Sequence, residues 1–352
     1  MFRLEIIAIT TLALFASAVI TRLVIPWVKK ASMDRGITTV DAHKKGLPTV
    51  PEPGGLAPLL GFIFTILITV FVLEYFSDFF SEFFFPDEDV FEPLLAGLLS
   101  VVIAGLIGFL DDVFKIRWRD KILLGFLPAI PLMALQVGKS TINVWIFGTI
   151  DLKSIISLPF IGYINLYSLV IIPLAVNFAF NSFNMLAGFN GLEAGNGTIS
   201  LTLILLLSLI LDLPIIALFA SSLLGGFLVL LKYNWYPAEI LIGDIGTLTL
   251  GTGIIVALII GNMDRLAVGL FGLHFINFLL FFGYIITHQK EKIATIDDNG
   301  NILAPCPYTA YWILPYFLKN IKERDNVLIL LLIHTLIAVV VLVTSLPIYL
   351  PS

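Results

Sequence analysis

Residues 326–349 read NVLILLLIHTLIAVVVLVTSLPIY, an apolar run that contains no Asp, Glu, Lys or Arg. A helix needs about 20 apolar residues to cross the hydrocarbon core of a bilayer, so this run predicts a transmembrane helix. Nine further runs give the same signal: 4–27, 54–76, 93–110, 121–138, 166–187, 196–212, 214–231, 246–262 and 266–287. The run at 121–138 is interrupted by Pro128 and Pro131. We therefore expect an all-α membrane protein of about ten spans, forming a single integral-membrane domain over residues 1–352.

The composition of the whole chain agrees with this pattern. Of its 352 residues, 59% are hydrophobic and 13% are charged, and the mean hydropathy is +1.02. A soluble domain carries roughly a quarter charged residues, so an ordinary soluble enzyme, a disordered chain and a fibrous protein are excluded. A formal charge of −5 indicates no nucleic-acid partner, and the single Cys306 excludes an intramolecular disulfide and a cysteine-rich metal site.

Basic residues concentrate in every second connecting segment. These segments hold 15 of the 20 Lys and Arg residues, whereas the loop at 77–92 has six acidic residues and no basic one. The positive-inside rule then places both termini outside and the basic loops, including the ninth at 288–325, in the cytoplasm. Within that ninth loop, Asp298-Asn299-Gly300 predicts a small hairpin, and the aromatic stretch 308–321 predicts a segment lying in the membrane interface.

Adjacent carboxylates end the third span. Asp111 and Asp112 follow Gly-Phe-Leu, and Lys121 comes nine residues after Asp112. Carboxylates at a helix C-terminus lie against the negative end of the helix dipole, which favours a nearby metal or cation. The alternative is a solvated loop in which Arg117 and Arg119 form salt bridges with them.

Polar side chains also mark the ends of two later spans. Asn177, Asn181 and Asn184 are spaced i, i+4, i+7, which places three amides on one stripe of a helix. Inside a bilayer such a stripe must face protein, water or a ligand, and hydrogen bonding between helices is the alternative to a binding role. Asp244 lies in Gly243-Asp-Ile-Gly246 at the start of the eighth span, where a purely capping role is the alternative.

Together these segments offer oxygen ligands and cations on one predicted membrane face. Carboxylate and amide oxygens are typical ligands of Mg²⁺ or Mn²⁺, and a metal of this kind commonly binds nucleotide diphosphates. A transporter or flippase for an anionic solute is the main alternative class. A structural membrane scaffold is a third, and it leaves the polar constellation unexplained.

The longest motifs resemble those of the polyprenyl-phosphate N-acetylhexosamine-1-phosphate transferases, most closely the dolichyl-phosphate GlcNAc-1-phosphotransferase branch. They are Gly108-Phe-Leu-Asp-Asp-Val113, Arg117-Trp-Arg-Asp-Lys121, Asn184-Met-Leu-Ala-Gly-Phe-Asn-Gly-Leu-Glu-Ala-Gly195, Asn234-Trp-Tyr-Pro237 through Asp244, and Ile321-Lys-Glu-Arg324. The resemblance runs in the same order along nearly the whole chain. It implies transfer of GlcNAc-1-phosphate from UDP-GlcNAc to dolichyl or another polyprenyl phosphate, with release of UMP.

The resemblance also implies roles for individual residues. The positions of Asn184 and Asp244 resemble those that hold Mg²⁺, and Asp111, Asp112 and Lys121 resemble those that serve the phosphates and the attacking lipid phosphate. Gly188, Asn190 and Leu241 match positions that hold uridine, Glu52 and Lys292 match positions around the sugar phosphate, and Asn181 is expected to bind substrate. The partners implied are UDP-GlcNAc, the lipid phosphate and the bilayer, with a homodimer as a candidate assembly and the active site on the cytoplasmic face.

Two departures from the family pattern bear on substrate choice. Lys115 stands where the family usually has Asn, and Lys290 and Lys292 stand where relatives show a motif rich in Arg and His. A run of histidines typical of the branch that transfers phospho-MurNAc-pentapeptide is absent from the ninth loop. Transfer from a different UDP-N-acetylhexosamine is therefore kept as an alternative.

Overall fold

The computed structural model describes residues 2–76, 91–144, 148–152, 156–158, 162–287 and 293–349. In these residues nine helices are long and apolar enough to cross a membrane. They are α1 (Phe2–Arg35), α2 (Leu56–Tyr75), α3 (Phe91–Phe114), α6 (Ile172–Met185, continuing a π-helical turn at Tyr167–Ile171), α7 (Leu192–Ile210), α8 (Pro214–Asn234), α9 (Gly243–Ile260), α10 (Asp264–Ile286) and α12 (Glu323–Tyr349). The protein is thus an all-α, multi-pass integral membrane protein, as the sequence predicts.

Short elements connect the long helices. Two short helices, α4 (Trp118–Leu124) and α5 (Ile130–Ala134), flank a 3₁₀ turn at Leu127–Ala129, and α11 (Ala310–Leu318) precedes α12. Four antiparallel hairpins pair β1 (Thr38–Val40) with β2 (Thr49–Pro51), β3 (Thr141–Val144) with β4 (Gly148–Asp151), β5 (Ile156–Leu158) with β6 (Gly162–Ile164), and β7 (Thr295–Ile296) with β8 (Ile302–Leu303). The last pair confirms the hairpin expected around Asp298-Asn299-Gly300.

The predicted span at 121–138 is a broken helix rather than a continuous one. Pro128 and Pro131 lack the amide hydrogen that an α-helix needs in its interior, and the chain turns through the 3₁₀ segment between α4 and α5. The segment nevertheless runs the length of α9. Lys121 contacts Asp244 at the start of α9, and the Lys139 backbone N–H donates to Asn262 just beyond its end.

Helix α9 forms the centre of the bundle. Every residue from Ile245 to Ile259 is buried, and α9 packs against α3 and α6 along its sides. Small residues at 246, 247, 249 and 251–253 let neighbouring backbones approach closely, as is usual where transmembrane helices pack. By contrast, α1 and α12 expose most of their apolar surface. Because α9 is enclosed by its neighbours, its first turn is held from several sides, and the candidate site is built around that turn.

Candidate active site

Helix α3 brings its two carboxylates against the first turn of α9. A Cβ on Gly108 would lie 2.5 Å from Ile245 Cα, so glycine is required where the two helices cross. Asp112, which is 2% exposed, accepts hydrogen bonds from the backbone N–H groups of Asp244 (2.7 Å) and Ile245 (3.1 Å). These N–H groups have no partner within α9, so Asp112 caps α9 from a different helix. The capping role considered for Asp244 thus belongs to Asp112.

Gly243 makes this cap sterically accessible. Its φ of +67° belongs to the left-handed region, and a Cβ there would lie 2.6 Å from Asp112 Oδ2. Glycine is the residue that adopts this conformation without strain. Gly243 therefore provides the backbone geometry of the turn, and Asp244 provides its carboxylate.

Lys121 links the remaining charged groups. Its ammonium forms an ion pair with Asp111 and lies 3.2 Å from Asp244 Oδ2 and 3.4 Å from Asn184 Oδ1. The Asn184 amide donates to Asp244 Oδ1 and to Thr247 Oγ1. We call Asp111, Asp112, Lys121, Asn184 and Asp244 the lysine–aspartate cluster. All five were predicted as site residues from the sequence, and the structure brings them together.

The amide stripe on α6 divides into two functions. Asn177 donates to the Ile122 carbonyl (2.7 Å), and Asn181 donates to the Asn177 carbonyl and side chain (both 3.0 Å). The bond of Asn177 joins α6 to α4, which is the alternative for this stripe, whereas Asn181 donates within α6 itself. Only Asn184 reaches the carboxylates, and Asn181 does not line the pocket described below.

A pocket of about 320 Å³ opens beside the cluster. Asp244, Asn184, Thr247 and Glu52 form part of its wall, whereas Asp111, Asp112 and Lys121 lie behind Asp244 and outside it. Glu52 is paired with Lys115 at 2.9 Å. Burial alone would lower the pKa of the Lys115 ammonium, but the hydrogen bond and charge of Glu52 outweigh it and raise that pKa above its usual value.

The residues expected to hold uridine line the same pocket. Gly188, Asn190 and Leu241 all contribute to its wall. The Gly188 N–H donates to Glu193 (2.7 Å), and the Leu241 N–H donates to the Pro51 carbonyl (2.9 Å). The predicted Lys292 lies outside the described residues, as does Lys290.

Three charged side chains, those of Asp41, Lys44 and Glu323, fix the loop that carries Asn190. Lys44 pairs with Asp41 (3.3 Å) and Glu323 (2.5 Å), and all three side chains are less than 9% exposed. Asn190 donates from its backbone to Glu323 and from its amide to Asp41, both at 2.8 Å. We call Asp41, Lys44, Asn190 and Glu323 the Lys44 cluster. It joins the loop between β1 and β2, the loop before α7 and the first turn of α12.

His43 completes this part of the wall. Its ring meets Phe189 edge to face, with centroids 4.9 Å apart. Burial, reinforced by the neighbouring Lys44 charge, lowers the pKa of His43 to about 4. Asp41, His43 and Glu323 are close enough to hold a metal ion. The Lys44 ammonium already occupies the position between the two carboxylates, however, and supplies the positive charge there.

The lysine–aspartate cluster is better suited to a metal ion. Asp111, Asp112, Asp244 and the nearby Glu52 contribute four carboxylates, against two ammonium groups from Lys115 and Lys121. Asp244 and Asn184 line the pocket, and the oxygens of both contact Lys121. Carboxylate and amide oxygens with excess negative charge are what Mg²⁺ or Mn²⁺ requires, so the residues present fit such an ion.

The sequence did not predict Asp41, His43, Lys44 or Glu323 as site residues. Lys44 was counted only as a topology signal, and Glu323 lies 279 residues further along the chain. The available signal was a short loop in which Asp41 and His43 are followed directly by two lysines. The spacing within that loop could not indicate a partner at the start of the last helix.

Comparison with known proteins gives the family. The model of "Glycosyl transferase family 4" matches residues 94–262. A phospho-N-acetylmuramoyl-pentapeptide-transferase from Caldanaerobacter subterraneus is 30% identical over 70% of this chain and 72% of its own length. A UDP-N-acetylglucosamine–dolichyl-phosphate N-acetylglucosaminephosphotransferase from Schizosaccharomyces pombe is 30% identical over 74% of this chain and 64% of its own length. A Sulfolobus acidocaldarius protein, provisionally given that same name, is 28% identical over 94% of this chain and 95% of its own length.

The matched segment contains Asp111, Asp112, Lys121, Asn184 and Asp244, the five residues that the structure gathers around the first turn of α9. The resemblance of the motifs, the arrangement of the helices and the matched relatives agree, and the chain belongs to glycosyl transferase family 4.

Proposed function

We propose that this protein transfers GlcNAc-1-phosphate from UDP-GlcNAc to dolichyl phosphate or a closely related polyprenyl phosphate. An oxygen of the lipid phosphate forms a bond to the phosphorus that carries the sugar. The bond from that phosphorus to the oxygen of the uridine phosphate breaks, and UMP leaves with the electron pair. The products are the lipid-diphosphate-GlcNAc and UMP. Relatives named for this activity, in archaea and in eukaryotes, support the assignment.

The proposal rests on the location of Asn184 and Asp244 between the pocket and Lys121. Both residues line the pocket and both contact the ammonium of Lys121 behind it. A sugar nucleotide in the pocket would therefore present its diphosphate to the same two residues that face the lysine. Because direct attack requires the two phosphates to touch, the lipid phosphate would meet the diphosphate at these two side chains, next to Lys121.

Helix α4 supports an approach of the lipid from the other side. Lys121 points into the bundle, while Trp118, Ile122 and Leu123 on the same short helix are 65%, 41% and 68% exposed. Exposed apolar side chains beside a partly buried ammonium suit a molecule with a long hydrocarbon tail and a phosphate head. The tail would remain in the bilayer while Lys121 offsets the charge of the phosphate.

A divalent cation, Mg²⁺ or Mn²⁺, is part of this proposal. Asp244 and Asn184 would hold it through their oxygens, and Asp111 lies close enough to orient Lys121 beside it. When bound, the ion would supply positive charge that stabilises the diphosphate and the leaving UMP. Asp112 contributes indirectly, because it holds the backbone of α9 from which Asp244 projects.

Direct attack by the lipid phosphate is the favoured route over a covalent aspartyl-phosphate intermediate. An ionised phosphate is already a nucleophile, and both oxygens of Asp112 are occupied by backbone N–H groups. Exchange of labelled UMP into UDP-GlcNAc without lipid separates the two routes. Negligible exchange is expected; robust exchange that Asp111→Asn abolishes would favour the covalent intermediate.

Transfer of label from UDP-GlcNAc into the lipid extract tests the function itself. Purified protein with dolichyl phosphate and Mg²⁺ should form a labelled lipid and release UMP in equal amounts. Label in the lipid from another UDP-N-acetylhexosamine but not from UDP-GlcNAc would assign the same chemistry to a different donor. Solute uptake into vesicles without any lipid product would favour the transporter alternative.

The site is proposed to face the cytoplasm, in accordance with the distribution of basic residues. Single cysteines in a Cys306→Ser background test this: Leu47 is an exposed loop residue on the same side as the site, and Lys139 lies beyond the opposite end of α9. A membrane-impermeant thiol reagent added from outside should label position 139 and not position 47. The reverse pattern would invert the orientation. Assembly as a homodimer stays a prediction.

A further inference from the structure

Asn277 in α10 carries a buried amide that binds the ends of two other helices. Its side chain is 1% exposed, and its Nδ2 donates to the carbonyl of Met185, the last residue of α6 (3.0 Å). Its Oδ1 accepts from the backbone N–H of Ala310, the first residue of α11 (2.8 Å). The last carbonyls and first N–H groups of a helix have no partner within it, and Thr309 makes no side-chain cap for α11. One amide therefore joins α6, α10 and α11.

A second residue of α10 contacts the same end of α6. His274, one turn before Asn277, stacks its ring on that of Phe183, with centroids 4.1 Å apart and both side chains 1% exposed. Phe183 and Met185 are the chain neighbours of Asn184, whose side chain lines the pocket. The residues on both sides of Asn184 are therefore held by α10.

Helix α11 also contributes to the wall of the pocket. Tyr311 and Trp312 line it, and a Cβ on Gly188 would lie 2.7 Å from the Tyr311 ring, so α11 packs directly on the loop that follows α6. Because Asn277 binds the end of α6 and the start of α11 at once, it links the position of Asn184 to that of these two aromatic residues.

We propose that Asn277 is a positioning residue for the transfer reaction, which fixes Asn184 relative to the aromatic residues of α11. This inference rests on the proposed function, because it assumes that a sugar nucleotide binds in the pocket that these elements line. A polar side chain within a membrane-spanning helix is costly unless its hydrogen bonds are needed there. An amide can donate to a carbonyl and accept from an N–H at the same time, which an apolar side chain of similar size cannot do.

Two substitutions of Asn277 and one control test this role. Asn277→Leu is similar in volume and removes both hydrogen bonds, whereas Asn277→Asp keeps an acceptor for the Ala310 N–H. Gly269→Ala is the matched control on the same helix, because its Cβ would lie 2.7 Å from Val341 and would loosen the packing of α10 against α12 away from the pocket. Asn277→Ser, whose shorter side chain loses both bonds, takes the place of Asn277→Leu if that variant does not fold.

Hydrogen–deuterium exchange of the full-length protein in detergent, without substrate, tests the link between the helices. In Asn277→Leu the exchange of residues 182–190 and 310–318 should rise about fivefold, which corresponds to one lost hydrogen bond for each segment. Asn277→Asp should keep 310–318 near the wild-type rate. Gly269→Ala should leave both segments unchanged.

Steady-state transfer is then measured well below the unfolding temperature of each variant, with UDP-GlcNAc varied at saturating lipid phosphate. Asn277→Leu should lower kcat about 10- to 100-fold, because a small displacement of a group that contacts the reacting phosphates has a large effect on rate. It should also raise KM about three- to tenfold, since the wall formed by α11 is released. Asn277→Asp should keep KM within about twofold of the wild type, because it retains the bond from α11. Gly269→Ala should lower the unfolding temperature and leave kcat and KM unchanged.

Wild-type kcat and KM in Asn277→Leu would overturn the proposal, whatever its unfolding temperature. Equal increases of KM in Asn277→Asp and Asn277→Leu would overturn it as well, since the retained acceptor would then have no effect. Equal losses of kcat in Gly269→Ala and Asn277→Leu would do the same, because general loosening of α10 would explain both. A wild-type protein without transfer activity would refute the proposed function, whereas normal wild-type transfer with unchanged exchange in Asn277→Leu would refute only the role of Asn277.

Discussion

The lysine–aspartate cluster and the Lys44 cluster are built from the same kinds of side chain, but they differ in how many carboxylates they gather. In the Lys44 cluster the ammonium lies between two carboxylates, and the remaining acceptors bind Asn190. Around the lysine–aspartate cluster there are four carboxylates, counting Glu52, and two ammonium groups, and Asp244 and Asn184 line a cavity. The smaller Lys44 cluster, in which all four carboxylate oxygens bind Lys44 or Asn190, holds loops together. The lysine–aspartate cluster, with four carboxylates gathered at the cavity, can bind a cation and its anionic ligands.

The strongest test of this contrast is Asp244→Ala. Removing the carboxylate that faces both the pocket and Lys121 should lower transfer activity by at least about 10³-fold, as expected for loss of a group that holds the catalytic ion. Activity is measured as labelled lipid formed per protein, and folding as thermal unfolding in detergent. Asp120→Asn, an exposed carboxylate one residue before Lys121, is the control and should retain activity. Full turnover by Asp244→Ala, or by the wild type in excess EDTA, would contradict the metal proposal.

The two lysines should differ in what their loss affects. Lys44→Met leaves Asp41 and Glu323 buried without a counter-ion, and breaking such a pair typically costs about 3–5 kcal/mol of stability. The unfolding temperature should fall markedly, and adding Glu323→Gln should restore part of it.

Lys121→Met is the matched comparison for Lys44→Met. It should lower activity more than about 100-fold, because its ammonium offsets phosphate charge, with a smaller change in unfolding temperature since its cluster is partly open. If the unfolding temperature of Lys44→Met is not lower than that of Lys121→Met, the prediction that the Lys44 cluster stabilises the fold is wrong.

A smaller effect is expected for Asp112→Asn. One of the two backbone N–H groups at the start of α9 would lose its acceptor, at a cost of about 1–3 kcal/mol. Activity and unfolding temperature should fall together, because Asp244 projects from the turn that Asp112 caps. Asp111→Asn should instead lower activity with little loss of stability. Identical behaviour of the two variants would argue against the division of roles between the adjacent aspartates.

The smallest effect should come from the exposed pair of Lys115 and Glu52. Lys115 is 64% exposed, and exposed ion pairs contribute less than about 1 kcal/mol, so Lys115→Ala should not change the unfolding temperature. Transfer activity should fall about two- to fivefold at low salt and less at high salt, because the ammonium stands near the diphosphate site. Lys29→Ala removes a comparable exposed pair with Glu239 away from the pocket and should change neither quantity. A larger loss in Lys29→Ala would contradict this account.

The spans were predictable because a bilayer imposes a length and a polarity on any helix that crosses it. Nine of the ten apolar runs form long helices, with boundaries that differ by several residues; α1, for example, continues to Arg35. The tenth run has the composition of a span but is broken at Pro128 and Pro131, where the missing amide hydrogens prevent a continuous helix. The apolar composition of a segment indicates that it lies in the membrane, whereas its prolines determine whether it forms a continuous helix there.

The candidate site also has features that the sequence predicts and others that require the structure. From the sequence alone, the residue types are known, and the motifs that contain Asp111, Asp112, Lys121, Asn184 and Asp244 are long enough to recognise. The folded arrangement was needed to show that Asp112 caps α9, that Asn177 joins α6 to α4, and that Lys44 meets Glu323. The physical reason is that a hydrogen bond or ion pair depends on a few ångströms between atoms. Those distances are set by helix crossings such as that of Gly108 with α9, and spacing along the chain does not specify them.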